Sequence, residues 1–153
     1  MLERMQKTYF ACARFVRLHS IIKPQSTVLA IDVDAVIRHP LTLLPNTCGY
    51  YIHRITGKRA RFLAGGIQFN PTPGAGAFLT EYTQQLQSAL LQDCIYWGLD
   101  QDVLEHTANH YHWQPLPSEL IDWNMLDHSV IWTAKGTRKS LAAFVNESAR
   151  YKI

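Results

Sequence analysis

Thr27-Val28-Leu29-Ala30-Ile31-Asp32-Val33-Asp34, running on through Ala35-Val36-Ile37-Arg38 to His39-Pro40, is an apolar run that meets two carboxylates. Read as a strand, it places residues two apart on the same face, so Asp32 and Asp34 aim at one point where the strand emerges into solvent. Two carboxylates held that close repel each other unless a positive charge sits between them. A divalent cation carrying phosphate oxygens meets that demand. The stretch therefore points to a chain that handles a phosphate ester or a nucleotide-sugar. Its apolar part does not alternate, which predicts burial on both faces, as at the centre of an α/β sheet.

Upstream, residues 2–18 contain no Gly or Pro and carry apolar residues on most turns. They predict a helix, broken by Pro24 and Ser26 ahead of the strand. Downstream, residues 49–55 and 61–69 read as strands joined by a turn at Thr56-Gly57-Lys58. Thr72 as N-cap and Pro73 at the first helical position open the clearest helix. Its Ala75, Phe78, Leu79, Tyr82, Leu86, Ala89 and Leu90 form one apolar stripe. Asp100 reads as the cap of a further helix with Val103, Leu104, Thr107, Ala108 and Tyr111 on one side. Residues 129–133 read as extended, and a last helix from about Ser140 buries Leu141, Phe144 and Val145. No internal repeat or linker interrupts this order. It predicts one α/β domain over residues 1–153, with a mixed sheet flanked by helices.

Composition narrows the function classes. A hydrophobic share of 47% with 18% charged residues is that of a globular chain. The formal net charge is only +3, and basic residues cluster only at Lys58-Arg59-Ala60-Arg61 and Lys135-Gly136-Thr137-Arg138-Lys139. A nucleic-acid binder would carry a denser basic face, so no nucleic-acid partner is expected. Cys12, Cys48 and Cys94 are widely spaced, form no C-x-x-C pair, and read as buried free thiols in a reducing compartment. No run reaches the roughly 18 apolar residues of a membrane span. Arg14, Arg17 and Lys23 interrupt what would be the apolar part of a signal peptide. The expected location is cytoplasmic.

Four segments together resemble glycosyltransferases of the GT-A fold, closest to glycogenin-like and related bacterial transferases. The first runs from Lys7-Thr8-Tyr9-Phe10-Ala11 through Asp32-Val33-Asp34 to Arg38-His39-Pro40. The second is Leu63-Ala64-Gly65-Gly66-Ile67-Gln68-Phe69-Asn70, similar to the strand that lines the sugar pocket in that family. The third, Leu99-Asp100-Gln101-Asp102-Val103-Leu104, resembles the helix opening beside the donor sugar. The last comprises Asp127-His128 and Trp132-Thr133-Ala134-Lys135-Gly136, similar to a C-terminal segment near the diphosphate. The resemblance covers most of the chain and implies a partial GT-A-like fold.

It further implies a metal-dependent hexosyltransferase moving sugar from a UDP- or GDP-sugar donor to a carbohydrate or other hydroxyl acceptor. Asp32 and Asp34, with His128 as a third ligand, would hold Mn²⁺ or Mg²⁺, which neutralises the leaving diphosphate. Lys135 adds charge at the same phosphates, with Gly136 beside it. Asp100 and Gln101 bond sugar hydroxyls, Asp100 also stabilising charge at the anomeric carbon. Gly65 and Gly66 let the sugar approach the backbone, and Asn70 completes the donor set. Family members carry a longer part ahead of the D-x-D strand, which binds the nucleotide base. Here 26 residues precede Thr27, so the expectation is a shortened reading frame, a fragment, or a reduced protein whose sheet a second copy or a partner completes.

Two other classes fit the same residues. Asp32-Val33-Asp34-Ala35-Val36 also matches the D-x-D-x-[TV] motif of haloacid-dehalogenase-like phosphatases, with Asp32 as nucleophile, Asp34 as general acid and Lys58 or Lys135 as the lysine. A non-catalytic remnant serving as an assembly module is the other. Plainer structural roles are a bulge at Gly65-Gly66, a helix cap at Asp100 and a solvated loop lysine at Lys135. His106 and His110 lie four apart with His112 nearby; without an H-E-x-x-H order they read as ordinary histidines. Trp97, Trp113, Trp123 and Trp132 read mostly as core.

Overall fold

The computed structural model describes residues 2–23, 25–55, 61–92 and 95–151. Pro24, the Thr56-Gly57-Lys58 turn, the Lys58-Arg59-Ala60 part of the first basic cluster and Cys94 lie outside them. The chain is mixed α/β and divides into two compact units. The first comprises Met1–Val28, Pro45–Tyr51 and Phe69–Gln114; the second comprises Leu29–Leu44, Ile52–Gln68 and Pro115–Ile153.

Three helices pack against one another in the first unit: α1 (Leu2–Ile21), α2 (Pro73–Leu91) and α3 (Leu99–Ala108). α2 starts as its sequence dictates: the Thr72 hydroxyl accepts the Ala75 N–H at 3.2 Å and Pro73 follows the cap. Ala75, Phe78, Leu79, Tyr82 and Leu86 form the buried stripe, whereas Ala89 and Leu90 are only half-buried. Phe78 stacks on Tyr50 at 4.1 Å and on Tyr82 at 5.8 Å, and meets Tyr111 edge-on at 5.7 Å. α3 corrects one expectation. Its N-cap is Gly98, in the left-handed region at φ 98°, and Asp100 lies inside the first turn. A left-handed entry is open to glycine at no steric cost, so the helix begins ahead of the aspartate.

The strands fall chiefly in the second unit. One sheet has the order β1 (Val28–Ile31), β4 (Arg61–Phe69), β3 (Tyr50–Ile55) and β5 (Gln114–Pro115). The other has the order β2 (Val36–Ile37), β7 (Ile131–Trp132) and β6 (Ile121–Asp122). It is mixed: β2 runs antiparallel to β7, with Val36 opposite Trp132, and β6 runs parallel to β7, with Asp122 opposite Trp132. β1 stands at the end of its sheet and its four residues are half-buried. The apolar run is therefore an edge strand, not the sheet centre its composition predicts. Burial in the sheet belongs instead to β4, whose positions from Phe62 to Phe69 are all buried.

A 3₁₀ turn, Gly136–Ser140, precedes α4 (Ala142–Arg150). Phe144 joins Val36, Trp132 and Ala134 in a core cluster. Leu141 and Val145, expected to be buried, are 45% and 48% exposed, and Glu147 takes an inward position at 9%. Arg38 explains the exchange. Its Nε donates to Glu147 at 2.9 Å, its Nη1 donates to the carbonyls of Asp127 at 2.9 Å and Leu126 at 3.3 Å, and its guanidinium lies 3.8 Å over the Trp132 ring. Its bonds with Arg38, and then with Arg150, hold the Glu147 carboxyl below the usual range. Arg38→Met keeps the stem but removes every donor. It is expected to lower the folded-to-unfolded ratio by roughly tenfold or more, as read by urea denaturation, because bonds from a charged donor are the stronger kind.

Candidate functional site

β1 stops at Ile31, so Asp32 and Asp34 do not share a strand face. They belong to a turn closed by the Ala35 N–H donating to the Asp32 carbonyl at 3.0 Å. The turn stays beside the sheet, because the Asp32 N–H donates to the Gly65 carbonyl at 3.3 Å. Each carboxylate then faces its own lysine from the segment after β7. Asp32 Oδ2 lies 4.0 Å from Lys135 Nζ, and Asp34 is ion-paired with Lys139. Val33 stands fully exposed between them. The arrangement alternates two anions with two cations over the mouth of one turn.

The glycines of β4 accommodate protein. A Cβ at Gly65 would lie 2.6 Å from the Asp32 carboxyl carbon, and one at Gly66 would lie 2.8 Å from both His53 Cβ and Ile121 Cδ1. The carboxylate thus rests on the Gly65 backbone, in the space that the resemblance gives to a sugar. Gly136 is exposed with φ 57°, the left-handed conformation that starts the 3₁₀ turn and carries Lys139 back to Asp34. His128 is an exposed turn residue. Among the described residues, no three His, Cys, Asp or Glu side chains group as a metal site. Two carboxylates are nevertheless a sufficient protein share for Mg²⁺ or Mn²⁺, which takes its other oxygens from water and substrate phosphates.

Asn70, Asp100 and Gln101 belong to the first unit, whereas Asp32, Asp34, Gly65, Gly66, His128, Lys135 and Gly136 belong to the second. Asn70 is buried and its amide donates to the Cys48 carbonyl at 2.6 Å and to that of Pro45 at 3.4 Å, holding the loop before β3. Asp100 is 6% exposed, with Oδ2 3.5 Å from Arg14 Nη2 and its carbonyl accepting the Tyr82 hydroxyl at 2.8 Å. Gln101 is equally buried. Burial, and after it the Asp100 charge, raises the Cys12 thiol to about 12. Cys12 and Cys48 are the buried free thiols expected of them. Trp132 alone of the four tryptophans is buried, and Trp97 is 65% exposed.

Several contributors escaped the sequence reading. Lys139 stood in view within the basic cluster, but its return to Asp34 depends on the 3₁₀ turn. His53, on β3, is 5% exposed, and its Nδ1 has no hydrogen-bond partner. Thr133 Oγ1 is buried and unpartnered as well, while the Thr133 N–H donates to Asp122. Burial lowers His53 to about 4, with Asp122 opposing, Lys135 assisting and Asp32 opposing. An unfolded histidine takes its proton near pH 6.5, so between about 6.5 and 4 the unfolded chain binds a proton that the folded chain refuses. Stability is therefore full above that window and falls as pH drops through it, by roughly 3 kcal/mol in all. His53→Leu is expected to flatten this limb, measured by urea denaturation at about pH 7 and about pH 5.

Compared with known proteins, the chain matches no family model, no curated protein and no solved structure.

Proposed function

We propose that the 32–34 turn and the lysines facing it form the diphosphate corner of a metal-dependent nucleotide-sugar transferase with a partial GT-A-like fold. The observation that carries this reading is the pairing of Asp32 with Lys135 and Asp34 with Lys139 within one unit. A cation–diphosphate complex suits such a double pair. Asp32 and Asp34 would hold Mn²⁺ or Mg²⁺ in place of their lysines, and the Lys135 and Lys139 ammonium groups would take phosphate oxygens. A metal held there would supply charge stabilisation for the departing diphosphate, and Lys135 and Lys139 would add theirs. His128 on the metal, in the same unit, belongs to the same reading. So does a second copy or partner along the outer edge of β1, which its terminal place in the sheet supports. Free buried thiols support a cytoplasmic, reducing location.

The test is release of nucleoside diphosphate from UDP- and GDP-sugars with Mn²⁺ and with a chelator. Turnover that needs the metal and disappears in Asp34→Ala supports the reading; metal-independent turnover retained in that variant refutes it.

A phosphatase is the second reading, favoured by Lys135 beside Asp32 and by Thr133 just beyond β7. It predicts phosphate release from an aryl phosphate with covalent labelling of Asp32. Labelling would replace the transferase reading.

A further inference from the structure

We propose that His106 and His110 chelate one transition-metal ion, with Glu81 as the positioning residue that presents His110. All three lie in the first unit, on α2 and around the end of α3. α3 ends at Ala108, and the His110 N–H donates to the Thr107 carbonyl at 3.0 Å, which carries the turn just far enough to bring His110 back beside His106. The two rings stand with centroids 5.1 Å apart and planes at 75°. An imidazole nitrogen binds such an ion at about 2.0–2.1 Å, placing the ring centroid roughly 3.2 Å from the metal. Two imidazoles at a tetrahedral angle then have centroids about 5 Å apart. The observed spacing falls at that value.

Glu81 supplies the second observation. Its Oε1 lies 2.9 Å from His110 Nδ1 and accepts the Gln85 amide at 2.9 Å, while its Oε2 accepts the Tyr111 hydroxyl at 2.8 Å. Thr107 in turn donates to Gln85 Oε1 at 3.3 Å. A carboxylate can only accept, so Glu81 faces the Nδ1 side of His110 and Nε2 is the nitrogen turned away from it. A carboxylate on the far nitrogen is the usual arrangement behind a metal-binding histidine, where it fixes the tautomer and raises ligand basicity. Both imidazoles are exposed and open to solvent.

Two nitrogens suit Cu²⁺, Ni²⁺ or Zn²⁺, with water in the remaining positions, and not the oxygen-seeking Mg²⁺ or Mn²⁺. This centre is thus independent of the acidic turn and of the transferase reading. Cu²⁺ titration of the full chain by calorimetry, with electron paramagnetic resonance of the bound ion, tests it. One equivalent of Cu²⁺ with nitrogen hyperfine structure, displacing Zn²⁺ bound beforehand, is expected. His106→Ala and Glu81→Gln should each weaken binding by about tenfold or more, whereas His112→Ala and the Asp32→Asn/Asp34→Asn pair should leave it unchanged. His106 is exposed and carries the test even where a change at His110 or Glu81 disturbs folding. Failure to bind Cu²⁺, or binding unchanged in His106→Ala, overturns the proposal.

Discussion

Replacing Phe78 with alanine is expected to destabilise the protein by about 3–5 kcal/mol, the cost of deleting a fully buried aromatic ring. The ring is 0% exposed and lies at the centre of an aromatic cluster formed by Tyr50, Phe69, Tyr82 and Tyr111. Its removal strips the stacking partner from Tyr50 and leaves a cavity among the remaining rings. Total stabilities of domains run to only about 5–15 kcal/mol, so the variant should sit near its unfolding threshold. Urea denaturation followed by near-ultraviolet circular dichroism measures the loss. Phe78→Leu, which retains more of the volume, should fall between alanine and the parent. Equal stability of parent and alanine variant would mean that this cluster is not the core of the first unit.

Asp32→Asn and Asp34→Asn carry the second large effect, on ligand binding with little change in stability. Amides keep the shape of the carboxylates but remove the charge that a divalent cation needs. Loss of a neighbour behind a metal ligand already costs about 10–100-fold in affinity, and loss of the ligand itself should cost at least that for a nucleotide-sugar presented with Mn²⁺. Stability should respond weakly. The Asp34 side chain is 43% exposed, and an exposed pair such as Asp34–Lys139 contributes at most about 1 kcal/mol. The Asp32–Lys135 separation of 4.0 Å is at the outer limit for an ion pair. A substitution that abolishes binding while leaving the urea midpoint nearly unmoved separates a ligand site from a structural salt bridge. The reverse pattern would identify the turn as a brace.

The helices were the most legible part of the chain because their signals are local. Thr72-Pro73 and the spacing of Phe78, Leu79, Tyr82 and Leu86 determine both the start and the inner face of α2. β1 was legible as a strand but not in its place. An unbroken apolar run describes what a segment could bury and cannot say whether neighbours exist on both sides. The site was half legible for the same reason. Two carboxylates at the end of an apolar run are visible in any reading, yet the i, i+2 argument assumed a strand that ends at Ile31. What brings the charges together is the left-handed Gly136 and the turn behind it, a contact about a hundred residues distant in sequence. Asp100 misled by chemistry, being a good capping residue two positions after the glycine that takes the cap. His53 left no sequence signal, since its lack of a partner arises only when β3, β4 and β6 close around it.

Calorimetric titration with UDP- and GDP-sugars, in Mn²⁺ and then in chelator, tests the proposed cation–diphosphate corner most directly. Saturable heat with at least one donor is expected in Mn²⁺, abolished by the chelator and by Asp32→Asn. No heat from any donor, or heat that persists without the metal and in the variant, would contradict it.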